Sequence, residues 1–282
     1  MRKWFIVSVL CVGILAFDYI EDRRLIQRAD VKFFLPRELE KNKESLHGLY
    51  NSRICIAHGG GLGVPRWRNT EEAVRQSLAQ GFRAIEVDML ECADGQYIGV
   101  HDWVTFRRLT GNPESANEPF PFEYAASQRV LGRERPCTFE FLNSVMKENE
   151  HLIMEIDKIT DYRYLVEKLP YPERLLVVAY TAENYLAAMR AGIRYPVFCV
   201  WEQDNIKQAE YYGFPILGVN AALYSSPENV EIFRRLHEQG VTILVIEASI
   251  CDKPEFIRQH LGTTCSGIYT EKWTPEQFEV LK

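Results

Sequence analysis

The chain has 282 residues, of which 46% are hydrophobic and 26% charged, a composition typical of a globular protein with one large domain or two modest ones. Its formal net charge is −6, and no run of Lys or Arg exceeds two residues, so the sequence excludes a broad basic face for nucleic acid. We therefore expect any anionic ligand to be bound locally or through a metal ion.

The first predicted element is an apolar N-terminal segment. Met1, Arg2 and Lys3 precede an uncharged stretch over residues 4–17, and five charged residues follow between positions 18 and 24. This pattern is typical of a secretory signal or a short membrane anchor, although its length also fits a buried helix. No Ala-x-Ala-like cleavage site follows, so we expect an uncleaved hydrophobic helix that anchors the chain to a membrane.

Anchoring by this segment has consequences for location and domain organisation. Residues 1–20 are predicted to be the anchor or signal, residues 21–50 a tether, and the remaining chain a domain outside the cytoplasm, periplasmic or extracellular. If the segment is cleaved, the protein is secreted. The chain has seven cysteines without Cys-x-x-Cys spacing, which excludes a zinc ribbon, but export would permit disulfides among the last six.

Over residues 51–282, apolar runs predicted as strands alternate with amphipathic stretches predicted as helices. The strand candidates are residues 54–57, 84–90, 152–156, 175–179, 197–200, 215–219, 241–246 and 267–269. The clearest helix candidates are residues 69–80, 138–148, 182–191, 227–239 and 254–261. Eight strands with intervening helices predict an α/β fold, the TIM (β/α)8 barrel, with an open doubly wound sheet as the alternative.

Two local features interrupt this rhythm. Residues 103–135 are rich in Pro, Glu, Asn and Phe and show no regular hydrophobic periodicity, and we interpret them as an insertion that follows the strand before His101.

The first strand is followed by His58 and three glycines, a pattern that can form an oxyanion hole in esterases. The chain has no Gly-x-Ser-x-Gly nucleophile elbow, which argues against an esterase and leaves a tight connection as the simpler interpretation.

Acidic residues are placed at the ends of two predicted strands. Glu86 and Asp88 are two residues apart on a strand and therefore share one face, and Glu155 and Asp157 repeat the pattern. Both faces of a barrel strand are covered, so these acids are expected to point into the barrel, where unpaired carboxylates are costly. Oxygen ligands without a cysteine cluster favour Mg²⁺ or Ca²⁺ over zinc.

Two histidines accompany this acidic cluster, each directly after a strand. A single histidine at such a position is more often structural, but His58 and His101 together, beside carboxylates, suggest acid–base chemistry. Several aromatic side chains near the same rim could also stack on a sugar or cover an alcohol, although core packing is the commoner role: Trp67, Trp103, Phe106 and Trp273.

The order of these motifs resembles the signature of the glycerophosphodiester phosphodiesterase family, TIM-barrel enzymes related to phosphatidylinositol-specific phospholipase C and sphingomyelinase D. The matching segments are His58-Gly, Asn69-Thr70, Gly81-Phe82, Glu86-x-Asp88, Asp94-Gly95 and His101-Asp102. Weaker similarity continues through "EID" at 155–157 and "SGIYTEKW" at 266–273, so that the resemblance covers most of residues 54–273.

The resemblance implies a metal-dependent hydrolase of a glycerophosphodiester or a phosphoglycerol-type lipid or envelope headgroup. His58 and His101 would be the general base and acid, and Glu86, Asp88 and Glu155 would hold one Mg²⁺ or Ca²⁺ ion, with no other cofactor. The partner would be a small phosphodiester or a lipid or glycan headgroup. The alternatives are a catalytically silent barrel that binds such a headgroup, and a cyclising lyase of the sphingomyelinase D type.

Two departures from the family pattern concern phosphate binding. Members commonly have Arg after the first histidine and Lys in the "EIK" motif, whereas this chain has Gly59 and Asp157 there. Asp157 could be an additional metal ligand, and Lys158 could replace the missing lysine only if the strand has ended before it. The remaining candidates for the phosphate contact are two arginines in the following loop and the N–H groups of the glycine loop: Arg66, Arg68, Gly59 and Gly60.

Overall fold

The computed structural model describes residues 31–32, 34–40, 54–63, 67–113 and 118–281. The predicted anchor over residues 1–20, most of the predicted tether and Arg66 lie outside these residues. Across the described ranges, none of the helices combines the length and the apolar character that crossing a bilayer requires.

Eight parallel strands form a closed barrel, which confirms the predicted fold. The strands found among the described residues are β1 Ile54–Ala57, β2 Ala84–Glu91, β3 Tyr97–Gly99, β4 Ile153–Asp157, β5 Leu175–Ala179, β6 Tyr195–Val200, β7 Ile216–Asn220, β8 Thr242–Ile246 and β9 Gly267–Thr270. The sheet order is β1-β9-β8-β7-β6-β5-β4-β2, and β1 pairs with β2 to close it. β3 is the exception, since it pairs antiparallel with β2 outside the barrel.

Helices surround the barrel. Residues 31–32 and 34–40 are helical and are labelled α1. The others are α2 Glu71–Ala79, α3 Trp103–Thr110, α4 Phe122–Ser127, α5 Phe139–Glu148, α6 Tyr162–Lys168, α7 Ala182–Arg190, α8 Gln203–Tyr212, α9 Ala221–Tyr224, α10 Pro227–Glu238, α11 Ala248–Cys251, α12 Pro254–His260 and α13 Pro275–Val280. Threonine side chains cap several of them: the Thr70 and Thr138 hydroxyls accept the N–H groups of Ala73 and Phe141.

The alternation along β2 explains how the barrel positions its acids. Ile85, Val87 and Met89 pack outward against the helices, whereas Ala84 belongs to the cluster that fills the barrel interior. Because side chains alternate along a strand, Glu86 and Asp88 share the inward face with Ala84. The fold therefore directs both carboxylates to the barrel interior, as the sequence pattern predicts.

Two regions outside the regular barrel pack against it or beside it. In α1, which falls within the segment predicted as a tether, Val31, Leu35 and Leu39 are buried in the shell around the barrel. The region predicted as an insertion carries α3 and α4, and Trp103 and Phe106 are buried in its own small core. Among the described residues, all six cysteines of the domain are free thiols, so the structure shows no disulfide between them.

Candidate active site

A cavity of about 150 Å³ opens at the carboxyl ends of the barrel strands and contains most of the predicted site residues. Its lining combines two imidazoles, one amine, six carboxylates and several apolar and aromatic groups, among them His58, His101, Glu86, Asp88, Glu155, Asp157, Lys158, Glu247 and Glu271. The catalytic and metal-binding residues predicted from the sequence are thus brought together at one end of the barrel.

Three carboxylates form the tightest acidic group. One oxygen from each of Glu86, Asp88 and Asp157 lies within 4.8 Å of the others. The register between β2 and β4 places Asp157 level with Asp88 and Glu155 level with Glu86, and the Tyr269 hydroxyl holds Oε1 of Glu155. The geometry therefore gathers Asp157, predicted only as an additional ligand, and leaves Glu155 beside this group rather than in it.

Burial and mutual repulsion disfavour the charged forms of these acids. Removal from water, followed by repulsion from Asp88 and Asp157, raises the pKa of Glu86 well above its usual value. Burial and the charge of Asp88 likewise raise the pKa of Asp157. Burial raises the pKa of Glu155 to about 8, although its hydrogen bond from Tyr269 acts in the opposite direction.

These residues fit a divalent cation. The three gathered carboxylates supply hard oxygen ligands, and no cysteine or histidine belongs to the group that the described residues form. Glu155 adds a buried Oε2 atom without a hydrogen-bond partner, while its Oε1 accepts the Tyr269 hydroxyl at 2.5 Å. An ion at this place would relieve the repulsion that raises the pKa of Glu86.

Asn69 holds Asp88 in place. Its side-chain Nδ2 donates to Asp88 Oδ2 at 2.8 Å, and the Asp88 backbone N–H donates to Asn69 Oδ1 at 3.0 Å. Asn69 is fully buried and has a left-handed backbone with φ of 51°, a conformation that asparagine adopts more readily than most residues. The sequence motif contained Asn69, but its tie to the acid was not predicted.

His58 is oriented by Glu271, which the sequence reasoning missed as a functional residue. Nδ1 of His58 lies 2.9 Å from Glu271 Oε1, and both side chains are mostly buried. Asp252 fixes the turn that carries Glu271, since its carboxylate accepts the Thr270 hydroxyl and the Glu271 N–H. The only signal for this contact was the weak similarity of "SGIYTEKW" to the family's last-strand turn.

His101 has an equivalent partner in its neighbour Asp102. Nδ1 of His101 is 2.8 Å from Asp102 Oδ2, while Asp102 Oδ1 caps α3 by accepting the Thr105 N–H. Burial opposes ionisation of Asp102, but the hydrogen bonds from His101 and Thr105 outweigh it and lower its pKa. Trp67 stacks on the His101 ring with centroids 4.3 Å apart, so both the edge and the face of the imidazole are held.

Lys158 enters the cavity because β4 ends at Asp157. Its φ of 65° turns the chain out of the strand, and its Nζ lies 3.8 Å from Asp88 Oδ1. The condition set by the sequence, that the strand must end first, is therefore met. Asp157 is held separately by the Tyr180 hydroxyl, 2.7 Å from both of its carboxylate oxygens, a contact that the sequence did not reveal.

Arg68, one of the two arginine candidates for the phosphate contact, does not reach the cavity. Its Nη1 pairs with Glu134 at 3.0 Å, and its Nη2 donates to the Leu62 carbonyl. Nη2 also donates to Gln76 of α2, so both terminal nitrogens of the guanidinium are engaged within the protein. Arg66 lies outside the described residues.

The loop of Gly59, Gly60 and Gly61 uses two of its N–H groups for hydrogen bonds within the protein, a role that the sequence did not distinguish from phosphate binding. The Gly59 N–H donates to Glu86 Oε2 at 2.7 Å, and the Gly61 N–H donates to the His58 carbonyl, so neither is free for a phosphate. Gly59 has φ of 56°, and a Cβ there would lie 2.6 Å from Trp67 Cα. Gly60, with φ of 84°, remains the loop position for which phosphate binding stays a prediction.

Comparisons with known proteins identify the fold. Neither a protein-family model nor a curated protein sequence matches the chain. Among solved structures, a glycerophosphoryl diester phosphodiesterase from Parabacteroides distasonis has a TM-score of 0.63 at 17% identity, covering 83% of this chain and 88% of its own. A glycerophosphodiester phosphodiesterase from Agrobacterium tumefaciens has a TM-score of 0.60 at 17% identity, covering 81% and 99%.

A third similar structure is a phosphodiesterase from Oleispira antarctica in complex with the product sn-glycerol-3-phosphate. Its TM-score is 0.60 at 14% identity, with 82% of this chain and 96% of that chain covered. At these identities the similarity concerns the arrangement of the backbone. The chain therefore has the TIM-barrel fold of the glycerophosphodiester phosphodiesterases, as the sequence resemblance predicts.

Proposed function

We propose that the chain is a metal-dependent phosphoric diester hydrolase that cleaves a glycerophosphodiester or a phosphoglycerol-type phosphodiester. The observation that carries this proposal is the placement of two carboxylate-bound imidazoles, His58 and His101, on one cavity with three clustered carboxylates. Similarity to phosphodiesterase barrels, one in complex with glycerol-3-phosphate, supports the same reaction class.

The two histidines divide the proton transfers. In each ring a carboxylate occupies Nδ1, Glu271 for His58 and Asp102 for His101, which leaves Nε2 to exchange a proton with the reactants. One Nε2 takes a proton from the attacking water, whose oxygen bonds to phosphorus, and the other delivers a proton to the departing alkoxide oxygen as its P–O bond breaks. The carboxylate behind each ring stabilises the imidazolium that forms during its part of the reaction.

The acidic cluster and Lys158 position the phosphodiester. Glu86, Asp88 and Asp157, with Glu155 beside them, would hold one Mg²⁺ or Ca²⁺ ion. Such an ion, when bound, neutralises phosphoryl oxygen charge and lowers the pKa of a hydroxyl or water. Lys158 supplies the ammonium group nearest to this cluster, since its Nζ is 3.8 Å from Asp88, and contacts a phosphate oxygen in the proposed complex.

Hydrolysis assays on purified protein test this function. We expect release of glycerol-3-phosphate and free alcohol from glycerophosphodiesters with Mg²⁺ or Ca²⁺, and loss of this release with a chelator. His58→Ala and His101→Ala should each lower kcat by about 100-fold or more. Saturable binding of the substrate without turnover would instead support the catalytically silent barrel.

Phosphorus NMR of the products separates hydrolysis from cyclisation. A phosphomonoester as the first product supports the proposed hydrolase, whereas a cyclic phosphate that accumulates before any monoester would identify a lyase. The same spectra report which P–O bond breaks, because the alcohol that remains esterified differs between the two possible cleavages.

We also propose that the enzyme works at a membrane face outside the cytoplasm. Support comes only from the sequence of residues 1–20, in which an apolar stretch follows Arg2 and Lys3. Fractionation of cells that express the full chain should find it in the membrane and accessible to external protease. Recovery of the protein in the cytosolic fraction would contradict this location.

A further inference from the structure

Glu134 is a buried acid that the proposed chemistry does not use. It lies near the end of the insertion, and its side chain is only 4% exposed. Its carboxylate accepts Arg68 Nη1 at 3.0 and 3.3 Å and the Thr70 hydroxyl at 2.8 Å. A buried ion pair adds little net stability, because taking both charges out of water offsets their attraction. The presence of this pair is better explained by what it positions.

Arg68 stands between two residues that each contact the active site. The Trp67 ring stacks on His101 with centroids 4.3 Å apart, and the Asn69 amide binds Asp88. Both neighbours have a left-handed backbone, with φ of 55° for Trp67 and 51° for Asn69. Positive φ is uncommon outside glycine, and for a bulky residue such as Trp67 the surrounding structure must hold it in place.

Glu134 supplies the charged part of that support. Of the three partners given above for the Arg68 guanidinium, the Leu62 carbonyl and the Gln76 amide are neutral, and only the Glu134 carboxylate is charged. The same carboxylate also binds Thr70, which caps α2. Glu134 therefore holds the residues on both sides of Asn69, through one charged and one neutral hydrogen-bond donor.

The backbone of the insertion's end lies along the same loop. Residues 135–137 run antiparallel to residues 69–71, with a bridge between Thr70 and Pro136. The Cys137 N–H donates to the Asn69 carbonyl at 2.9 Å, and the Glu71 N–H donates to the Arg135 carbonyl at 2.8 Å. The insertion thus provides a surface on which the loop of Trp67, Arg68 and Asn69 rests.

We propose that Glu134 is a positioning residue of the active site, which acts through Arg68 on the two residues beside it. By this route it sets the orientation of His101, a proposed acid–base group, and of Asp88, a proposed metal ligand. The inference rests on the proposed function for those two roles, and it gives the insertion a part in the reaction. Neither Glu134 nor Arg68 lines the cavity, so neither contacts the substrate.

The stacking of Trp67 on His101 provides one readout, which requires no reaction. Protons that lie over the face of an aromatic ring resonate upfield, so the His101 ring-proton signals report the stack. We expect Glu134→Gln to move these signals downfield, toward an unstacked imidazole, in NMR spectra assigned with His101→Ala. The ¹⁵N shifts of the same ring report its protonation and separate a change of charge from a change of stacking.

Calorimetric titration with Mg²⁺ or Ca²⁺ provides the second readout. Glu134→Gln should raise the Kd of the metal by about tenfold, because the amide that orients Asp88 is held less firmly. The double variant Arg68→Met with Glu134→Leu should show both effects in full. Apolar side chains of similar volume can replace a buried ion pair without loss of stability, so this variant separates positioning from folding.

Arg135→Met is the matched control. Arg135 is 51% exposed, and its Nη2 pairs with Glu71 at 2.8 Å, so the variant removes an ion pair between the same two segments without touching the guanidinium of Arg68. We expect wild-type His101 signals and a wild-type metal Kd. Changes equal to those in the Glu134 variants would show that the insertion acts only by general docking, which would overturn the proposal.

The remaining outcomes are also decisive. Wild-type His101 signals and Kd in the folded double variant would refute the proposal, and a change in only one readout would refute the claim that Glu134 positions both groups. If the wild-type protein binds no divalent metal, the proposed function fails at its metal site. The His101 signals then decide by themselves whether Glu134 positions the histidine.

Discussion

Asn69 and Asp88 are joined by two hydrogen bonds, one to the carboxylate and one from the backbone N–H of the acid. The amide therefore fixes both the position and the rotation of one proposed metal ligand. Partners of this kind determine metal affinity because they orient the ligand before the ion arrives. The Asn69 backbone N–H also donates to the carbonyl of Gly59, the residue after His58. Asn69 therefore links Asp88 to the loop that carries His58.

Asn69→Gly should weaken metal binding while it preserves the loop backbone, because glycine accepts the φ of 51° at this position. We expect Mg²⁺ or Ca²⁺ affinity to fall by about 10- to 100-fold. The loss of buried hydrogen bonds should lower the free energy of unfolding by about 1–3 kcal/mol. Calorimetry and denaturant unfolding measure the two effects, and wild-type affinity in this variant would contradict the assigned role.

Glu271→Gln should reduce turnover by removing the negative charge behind His58. We expect kcat to fall by about 100-fold with a small change in KM, since the contact orients and stabilises the imidazolium without touching substrate. His58→Ala combined with Glu271→Gln should be no slower than His58→Ala alone. Glu276→Gln on α13 is the matched control, and an additive double variant would show that the two residues act independently.

Lys158→Met should weaken substrate binding more than turnover, because the lost ammonium group contacts a phosphate oxygen in the proposed complex. We expect KM to rise by about tenfold, the effect of one lost charged hydrogen bond. Lys158→Asn, which suits the left-handed backbone, separates charge from strain. Lys147→Met removes an exposed lysine from α5 and should leave KM unchanged, and an unchanged KM in both Lys158 variants would contradict the phosphate contact.

The metal-free protein should lose stability as pH rises. The pKa of Glu155 is raised from 4.5 to about 8 in the folded state, so the native protein binds this proton more tightly than the unfolded chain. The resulting stability is complete below the unfolded pKa and is lost as pH rises toward about 8. The raised pKa values of Glu86 and Asp157 act in the same direction.

Denaturant unfolding in the presence of a chelator measures this trend. The free energy of unfolding should fall from about pH 5 to about pH 8, by up to about 1.4 kcal/mol per pH unit for each proton released. Glu155→Gln should flatten the curve, because the amide binds no proton. Stability that rises with pH in metal-free wild-type protein would show that these acids are not buried as described.

Much of the fold follows from local pattern in the sequence. The apolar runs predicted the eight barrel strands to within two residues, and the alternation along residues 84–91 predicted that Glu86 and Asp88 point inward. Helices α6 and α8 fall where intervening helices were expected but were not among the helix candidates named from the sequence. In α8 the sequence QDNIKQAEYY has few apolar residues, and its start is defined by a capping box between Glu202 and Asn205.

The site was predictable only where strand ends carry its residues. His58, His101 and the acids follow from that rule. Glu271 also directly follows a strand, β9, but the sequence does not reveal that it pairs with His58, 213 positions away, or that Tyr269 contacts Glu155, 114 positions away. Lys158 depended on one backbone dihedral that the sequence does not reveal. Tyr180 carried no motif, because an aromatic at a strand end is more often part of the core.

The register of β2 with β4 places the acids in two cross-strand pairs, Glu86 with Glu155 and Asp88 with Asp157. These strands are separated by about sixty residues of chain, so their pairing depends on tertiary closure of the barrel. A metal ion bound by acids from both strands would hold β2 and β4 together, so that its binding would stabilise the closed barrel. Removal of the metal would then lower the stability of the barrel as well as stop the reaction.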